Sequence, residues 1–243
     1  MKTALILGCS HAAGSEMHLE PGINMNGYTQ QTYGLYNSYS SLIAQQLGYH
    51  PMNRAIPGGS NDAMFRVWES FVNPYSKKVK PDLVIACWTG NDRTEIWDYK
   101  NSCWQGLAPG KQRFLKAKQD SLFESEYLPD SVDNEQELLT YQKHWVVYQG
   151  PWSGRLNKIK NVLALNAMAT QENIPVINLD SFASVQEFVW PEYVYRPMDN
   201  ANEFCMWAST TGFKNTKQGH FFAEAHRLYA NAVVTKIDTK FRA

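Results

Sequence analysis

Pro81-Asp82-Leu83-Val84-Ile85-Ala86-Cys87, running on into Trp88-Thr89-Gly90-Asn91-Asp92, is the stretch that decides the fold. Its apolar residues do not alternate with polar ones, so a strand formed here must be covered on both faces, as in a parallel sheet layered between helices. Ala4-Leu5-Ile6-Leu7 repeats that pattern before Gly8-Cys9-Ser10-His11, and Pro175-Val176-Ile177-Asn178-Leu179 repeats it late in the chain. A weaker strand is expected over 52–56, ahead of Pro57-Gly58-Gly59-Ser60-Asn61. The intervening segments have helical spacing. Residues 39–47 carry Leu42, Ile43, Gln46 and Leu47 and close on Gly48; residues 61–72 carry Ala63, Met64, Val67, Trp68 and Phe71 on one face, with Ser60 or Asn61 as the cap. Helices are also expected over 155–172 and 221–237. Strands alternating with helices predict one α/β domain spanning 1–243.

Two segments break the alternation. Residues from about 98 to 151 are rich in Lys, Gln, Glu and aromatics and contain Pro109-Gly110 and Pro129-Asp130, which predicts an aromatic-rich insertion with some helix. Residues 182–213 read as a long aromatic loop. Trp97, Trp104, Trp145, Trp152, Trp190 and Trp207 fall in or beside these segments, where flat rings either pack the segments onto the sheet or stack on sugar rings or nucleobases.

Composition excludes several classes. With 243 residues, 44% hydrophobic and a formal net charge of zero, the chain has the apolar content of a folded core and lacks the basic excess of a protein whose main task is to hold a polyanion. No dedicated nucleic-acid binding is expected. Cys9, Cys87, Cys103 and Cys205 show no C-x-x-C spacing and read as reduced thiols. The apolar run at 4–7 is too short for a signal-peptide core, and no segment approaches the roughly 20 apolar residues of a membrane span, so the expectation is an unexported, cytoplasmic chain.

In an open parallel sheet, ligands sit beyond the carboxyl ends of the strands. The residues there are Gly8-Cys9-Ser10-His11, Pro57-Gly58-Gly59-Ser60-Asn61 and Trp88-Thr89-Gly90-Asn91-Asp92, with Gly219-His220 introducing the last helix. They supply what acyl transfer from a serine needs: a hydroxyl, a base to accept its proton, and amide donors for the oxyanion. In order and spacing these blocks resemble the SGNH/GDSL hydrolases, a family of serine esterases, lipases, thioesterases and carbohydrate deacetylases. Their wording looks most like SGNH-like proteins of bacteriophages. The resemblance implies a three-layer α/β/α domain with a flavodoxin-like parallel sheet. It also implies Ser10 as nucleophile, His220 as base, an oxyanion hole of Gly58, Asn91 and the Ser10 amide, and no cofactor.

The chain departs from the family pattern at two positions. Cys9 stands where an Asp usually precedes the serine, and Lys217 stands where the family carries its triad acid, three residues before the histidine. Asp199 and Glu203, in the loop before the histidine, are the nearest candidates for a substitute acid. His11 and Arg93 are candidate substrate contacts, Arg93 having a salt bridge to Asp92 or Glu95 as its ordinary explanation. His11, Glu16 and His18 are metal-capable types without a diagnostic spacing, and no metal is expected. The expectation is a hydrolase for a small-molecule or glycan acyl ester. The alternatives are a catalytically impaired glycan-binding or virion-associated protein, favoured by Lys217, and an acyltransferase. Oligomeric state is not legible.

Overall fold

The computed structural model describes residues 1–24, 27–73, 75–76, 78–91, 93–98, 103–107, 151–181, 203–217, 219–237 and 241–242. In chain order the elements are β1 (Thr3–Gly8), α1 (Ser10–Ala13), a 3-10 turn (Met17–Leu19), α2 (Gly27–Asn37), α3 (Tyr39–Gln46), β2 (His50–Asn53) and α4 (Asn61–Val72). They continue with β3 (Leu83–Trp88), β4 (Thr94–Asp98), β5 (Cys103–Leu107), α5 (Pro151–Gln171), β6 (Val176–Asp180), α6 (Phe204–Thr210) and α7 (Ala223–Lys236).

Four strands form a parallel sheet in the order β2-β1-β3-β6. Every residue of β3 is buried, as its unbroken apolar run requires. Because side chains alternate across a strand, the sheet has two separate cores. Ala4, Ile6, Leu83, Ile85, Cys87, Ile177 and Leu179 face α3, α6 and α7; Leu5, Leu7, Val84, Ala86 and Trp88 face α4 and α5. The domain is thus the three-layer α/β/α arrangement that the sequence predicted.

Several boundaries differ from expectation. The second strand begins at His50 rather than at 52, because the His50 N–H already donates to Lys2 O. Its pairing to β1 runs on past Asn53, with Arg54 N–H donating to Ile6 O and Ile56 N–H to Gly8 O, both at 2.9 Å. The start of the expected helical insertion is instead an antiparallel ribbon, β4 with β5, and residues 108–150 lie outside those described. Helix α5 opens at Pro151, a residue suited to the first helical turn because its missing N–H costs nothing there. The end of the expected aromatic loop is helix α6, whose Phe204, Trp207 and Ala208 are buried; residues 182–202 lie outside those described. Helix α2 was not anticipated, its sequence being largely polar and carrying Gly27 and Gly34, a residue type that disfavours helix.

Candidate active site

Ser10 opens helix α1 directly beyond β1, with Cys9 as the extended N-cap residue. The helix lasts one turn and ends at Gly14 in the left-handed conformation (φ 67°). A Cβ on Gly14 would lie 2.3 Å from Gly34 O, and one on Gly34 would lie 2.3 Å from Gly14 O, so α1 and α2 meet backbone to backbone. Asn53 holds the other side of the turn, its Nδ2 donating to Ala12 O at 2.9 Å. Ser40 Oγ donates to the same carbonyl at 2.8 Å.

Gly58 occupies the turn between β2 and α4. Gly59 N–H donates to Ile56 O at 2.8 Å, and Gly58 has φ 76°; Pro at the second position and a positive-φ glycine at the third are the pattern of a type II turn. Gly58 is exposed, and a Cβ there would meet nothing within 4 Å. Ser60 is the helix cap, accepting from Ala63 N–H at 3.0 Å. Asn61 serves a different end: its Oδ1 accepts from Thr89 N–H at 3.0 Å and its Nδ2 donates to Gly90 O at 3.3 Å, which fixes the loop leading to Asn91. Behind Asn91 stands Gly154 of α5, where a Cβ would lie 1.9 Å from Asn91 O. The Asn91 Oδ1 is buried and has no hydrogen-bond partner among the described residues.

His220 sits in a tight hairpin closed by the bridge between Asn215 and Phe221. Thr216 N–H donates to His220 O at 2.8 Å, and His220 N–H donates to Thr216 Oγ1 at 3.3 Å. The ring's Nδ1 lies 2.9 Å from Glu16 Oε2, and the Thr216 hydroxyl donates to that same oxygen. Both partners are largely sheltered, with side-chain exposures of 12% for His220 and 16% for Glu16. Glu16 itself has φ 62°; among the described residues Glu16 and Asn173 are the non-glycine residues with positive φ. Such a backbone costs of order 1–3 kcal/mol and persists where its surroundings demand it. Four residues on, Glu20 Oε2 accepts from Ala223 N–H at 3.2 Å, so the loop after Ser10 also caps α7.

The other expected site residues are placed as follows. His11 is 4% exposed, its ring 5.0 Å from that of His220 and packed against Phe204 and Phe221. This lines the imidazole's surroundings rather than an open surface. Arg93 is 7% exposed; of its two expected partners, Glu95 pairs with Arg66 at 2.9 Å and Asp92 lies outside the described residues. Glu203 is buried and bridges Asp180 through its backbone at the β6 side of the sheet. Burial pushes the Cys205 thiol up, with Cys9 and the Glu203 carboxylate adding to the shift and Arg93 opposing it. Asp199 and Asp92 lie outside the described residues. The carboxylate on the imidazole is therefore Glu16, not Glu203. Lys217 is exposed. No hydrogen bond joins Ser10 Oγ to His220 among the described residues; in unliganded sites such bonds often form only with substrate. Among the described residues no group of three or more His, Cys, Asp or Glu is placed to hold a metal ion, and no helix is long and apolar enough to cross a membrane.

Sequence reasoning missed Glu16 as the imidazole's partner because 204 positions separate the two. The available signal is weak: Glu16 shares the loop that follows Ser10, and its residue type alone marks it only as metal-capable.

Fold and site together define a parallel α/β domain with a serine at its first crest loop and a carboxylate-paired histidine before its last helix. No protein-family model matches the chain, and no curated protein matches it. Solved structures similar to it include a protein assigned to the lipolytic G-D-S-L family from Desulfitobacterium hafniense DCB-2, at 13% identity and TM-score 0.32, covering 98% of this chain and 100% of that one. A lipase/acylhydrolase from Enterococcus faecalis is similar at 15% identity and TM-score 0.35, covering 98% and 95%. A family two carbohydrate esterase from Clostridium thermocellum is similar at 14% identity and TM-score 0.38; 98% of this chain spans 64% of that one.

Proposed function

We propose that the protein is a serine hydrolase of the SGNH type, cleaving an ester or acyl group with Ser10 as nucleophile and His220 as general base. The observation that carries the reading is the 2.9 Å contact between His220 Nδ1 and a carboxylate borne by the loop that follows Ser10. Such a contact ties the imidazole to the nucleophile's own segment. It also keeps the Nδ1 proton in place, leaving Nε2 as the free base.

In the first step Ser10 Oγ forms a bond to the acyl carbon while its proton passes to Nε2, and the carbonyl π pair moves onto oxygen. The oxyanion accepts hydrogen bonds from the Gly58 N–H, the Asn91 side-chain amide and the Ser10 N–H. As the intermediate collapses, the bond to the leaving oxygen breaks and Nε2 returns the proton to it. Water repeats the sequence on the acyl-serine, releasing the acid and restoring Ser10. No step needs a cofactor.

The substrate class is an acyl ester on a small molecule or glycan, the deacetylase type being one form. The resemblance of the sequence blocks to SGNH-like proteins of bacteriophages fits either acyl groups on host surface glycans or modification of a nucleotide or nucleic acid. Lys217 favours the alternative of a binding protein without activity, whereas the carboxylate at His220 Nδ1 supports the hydrolase. An acyltransferase would differ by product formation that depends on an acceptor other than water.

The test is hydrolysis of short-chain p-nitrophenyl esters and acetylated sugars by wild type, Ser10→Ala and His220→Ala, each checked for folding. Loss of about 10³-fold or more in kcat in both variants is expected. Turnover that persists in either would reject the assignment.

A further inference from the structure

We infer that Glu16 is the positioning residue of the catalytic imidazole, doing from the nucleophile's loop what Lys217 cannot do from the histidine's own turn. The inference rests on the reading of Ser10 and His220 given above. Glu16 Oε2 receives two donors, the His220 ring at 2.9 Å and the Thr216 hydroxyl, and Thr216 in turn accepts the His220 backbone N–H at 3.3 Å. Carboxylate, hydroxyl, ring and main chain thus close a circuit that leaves the imidazole one orientation. A carboxylate there holds the Nδ1–H tautomer and opposes the positive charge that forms when Nε2 takes the serine proton.

A purely structural explanation of Glu16 is weaker. The loop is already pinned to α7 by Glu20 on Ala223 N–H at 3.2 Å, so no second carboxylate is needed to hold it. Glu16 also keeps a left-handed backbone that a glycine would adopt without strain, and its carboxylate is the feature glycine lacks. Cys9 adds nothing that competes for the role, being fully buried and facing away from solvent.

The experiment follows the rate at which a fluorophosphonate probe labels Ser10, which needs no natural substrate. The ¹⁵N NMR signature of the His220 tautomer is recorded alongside, for wild type, Glu16→Gln, Glu16→Asp and Ser10→Ala. Glu16→Gln is expected to slow labelling by about 10²- to 10⁴-fold and to lose the pure Nδ1–H signature, with the melting profile kept. Glu16→Asp should recover part of the rate. Ser10→Ala should abolish labelling and keep the tautomer. Labelling by Glu16→Gln within threefold of wild type, with the tautomer unchanged, would overturn the role of Glu16 while leaving Ser10 and His220 in theirs. Wild type unlabelled at Ser10 would overturn the hydrolase reading, and the role of Glu16 with it.

Discussion

Asn91 and Asn61 are the same residue type put to opposite uses at one strand end. Asn61 spends its amide on Thr89 and Gly90, while the Asn91 oxygen has no hydrogen-bond partner among the described residues. Removing an oxyanion donor acts on the transition state alone, so Asn91→Ala should lower kcat about 10²- to 10³-fold with KM little changed. Steady-state kinetics on a p-nitrophenyl ester decides this, and a kcat within threefold of wild type would remove Asn91 from the oxyanion hole. At this scale the sequence was legible where a residue's position is fixed by its own strand. Ser10 and Asn91 lie within three residues of the ends of β1 and β3, and Gly58 stands in the turn that leads from β2 to α4. Glu16 and Glu203 were not legible, since which carboxylate meets an imidazole depends on how two distant loops dock.

Helices reach the site through glycines that let backbones touch. The contact of Gly14 with Gly34 seats α1 and the loop bearing Glu16 against α2, and no side chain fits between them. A methyl group there must push the two segments apart. Gly34→Ala should therefore cost about 1–3 kcal/mol of stability and also lower kcat/KM by shifting Glu16. Urea unfolding and ester kinetics measure the two effects; unchanged stability would show that α2 yields without strain. The long helices were readable from their periodicity, Asn61–Val72 to the residue. Helix α6 and the β4–β5 ribbon were not, because seven- and five-residue elements carry too few periods to stand out from loops.

Across the whole molecule, buried polar groups tie the layers together. The Tyr39 N–H at the start of α3 donates to Nδ1 of His226 in α7 at 3.0 Å, so a tertiary contact caps the helix. Within the other layer, Lys158 of α5 and Asp180 of β6 form a fully buried ion pair at 2.7 Å. Burial lowers the His226 pKa to about 3, a hydrogen bond to the Phe221 backbone opposing the shift and the nearby His220 adding to it. The unfolded chain binds a proton on this ring below about pH 6.5, whereas the folded chain refuses it until about pH 3. Stability from this residue is thus complete above pH 6.5 and declines by about 1.4 kcal/mol per unit as the pH falls towards 3. His226→Asn, whose oxygen can still accept from Tyr39, should flatten that slope in urea unfolding between pH 8 and 4. Equal slopes for the two proteins would show that another group carries the acid sensitivity.

By itself the sequence determined the layered α/β architecture, because three apolar runs without alternation, separated by helical segments, call for a sheet covered on both faces. It also determined which residues stand at the strand ends, since each lies within a few positions of its strand. Only the tertiary structure decided the order of the sheet, the packing of His11 and Arg93 into the interior, and the identity of the carboxylate at His220. Those depend on contacts between segments far apart in the chain, where local spacing carries no information about which loop arrives.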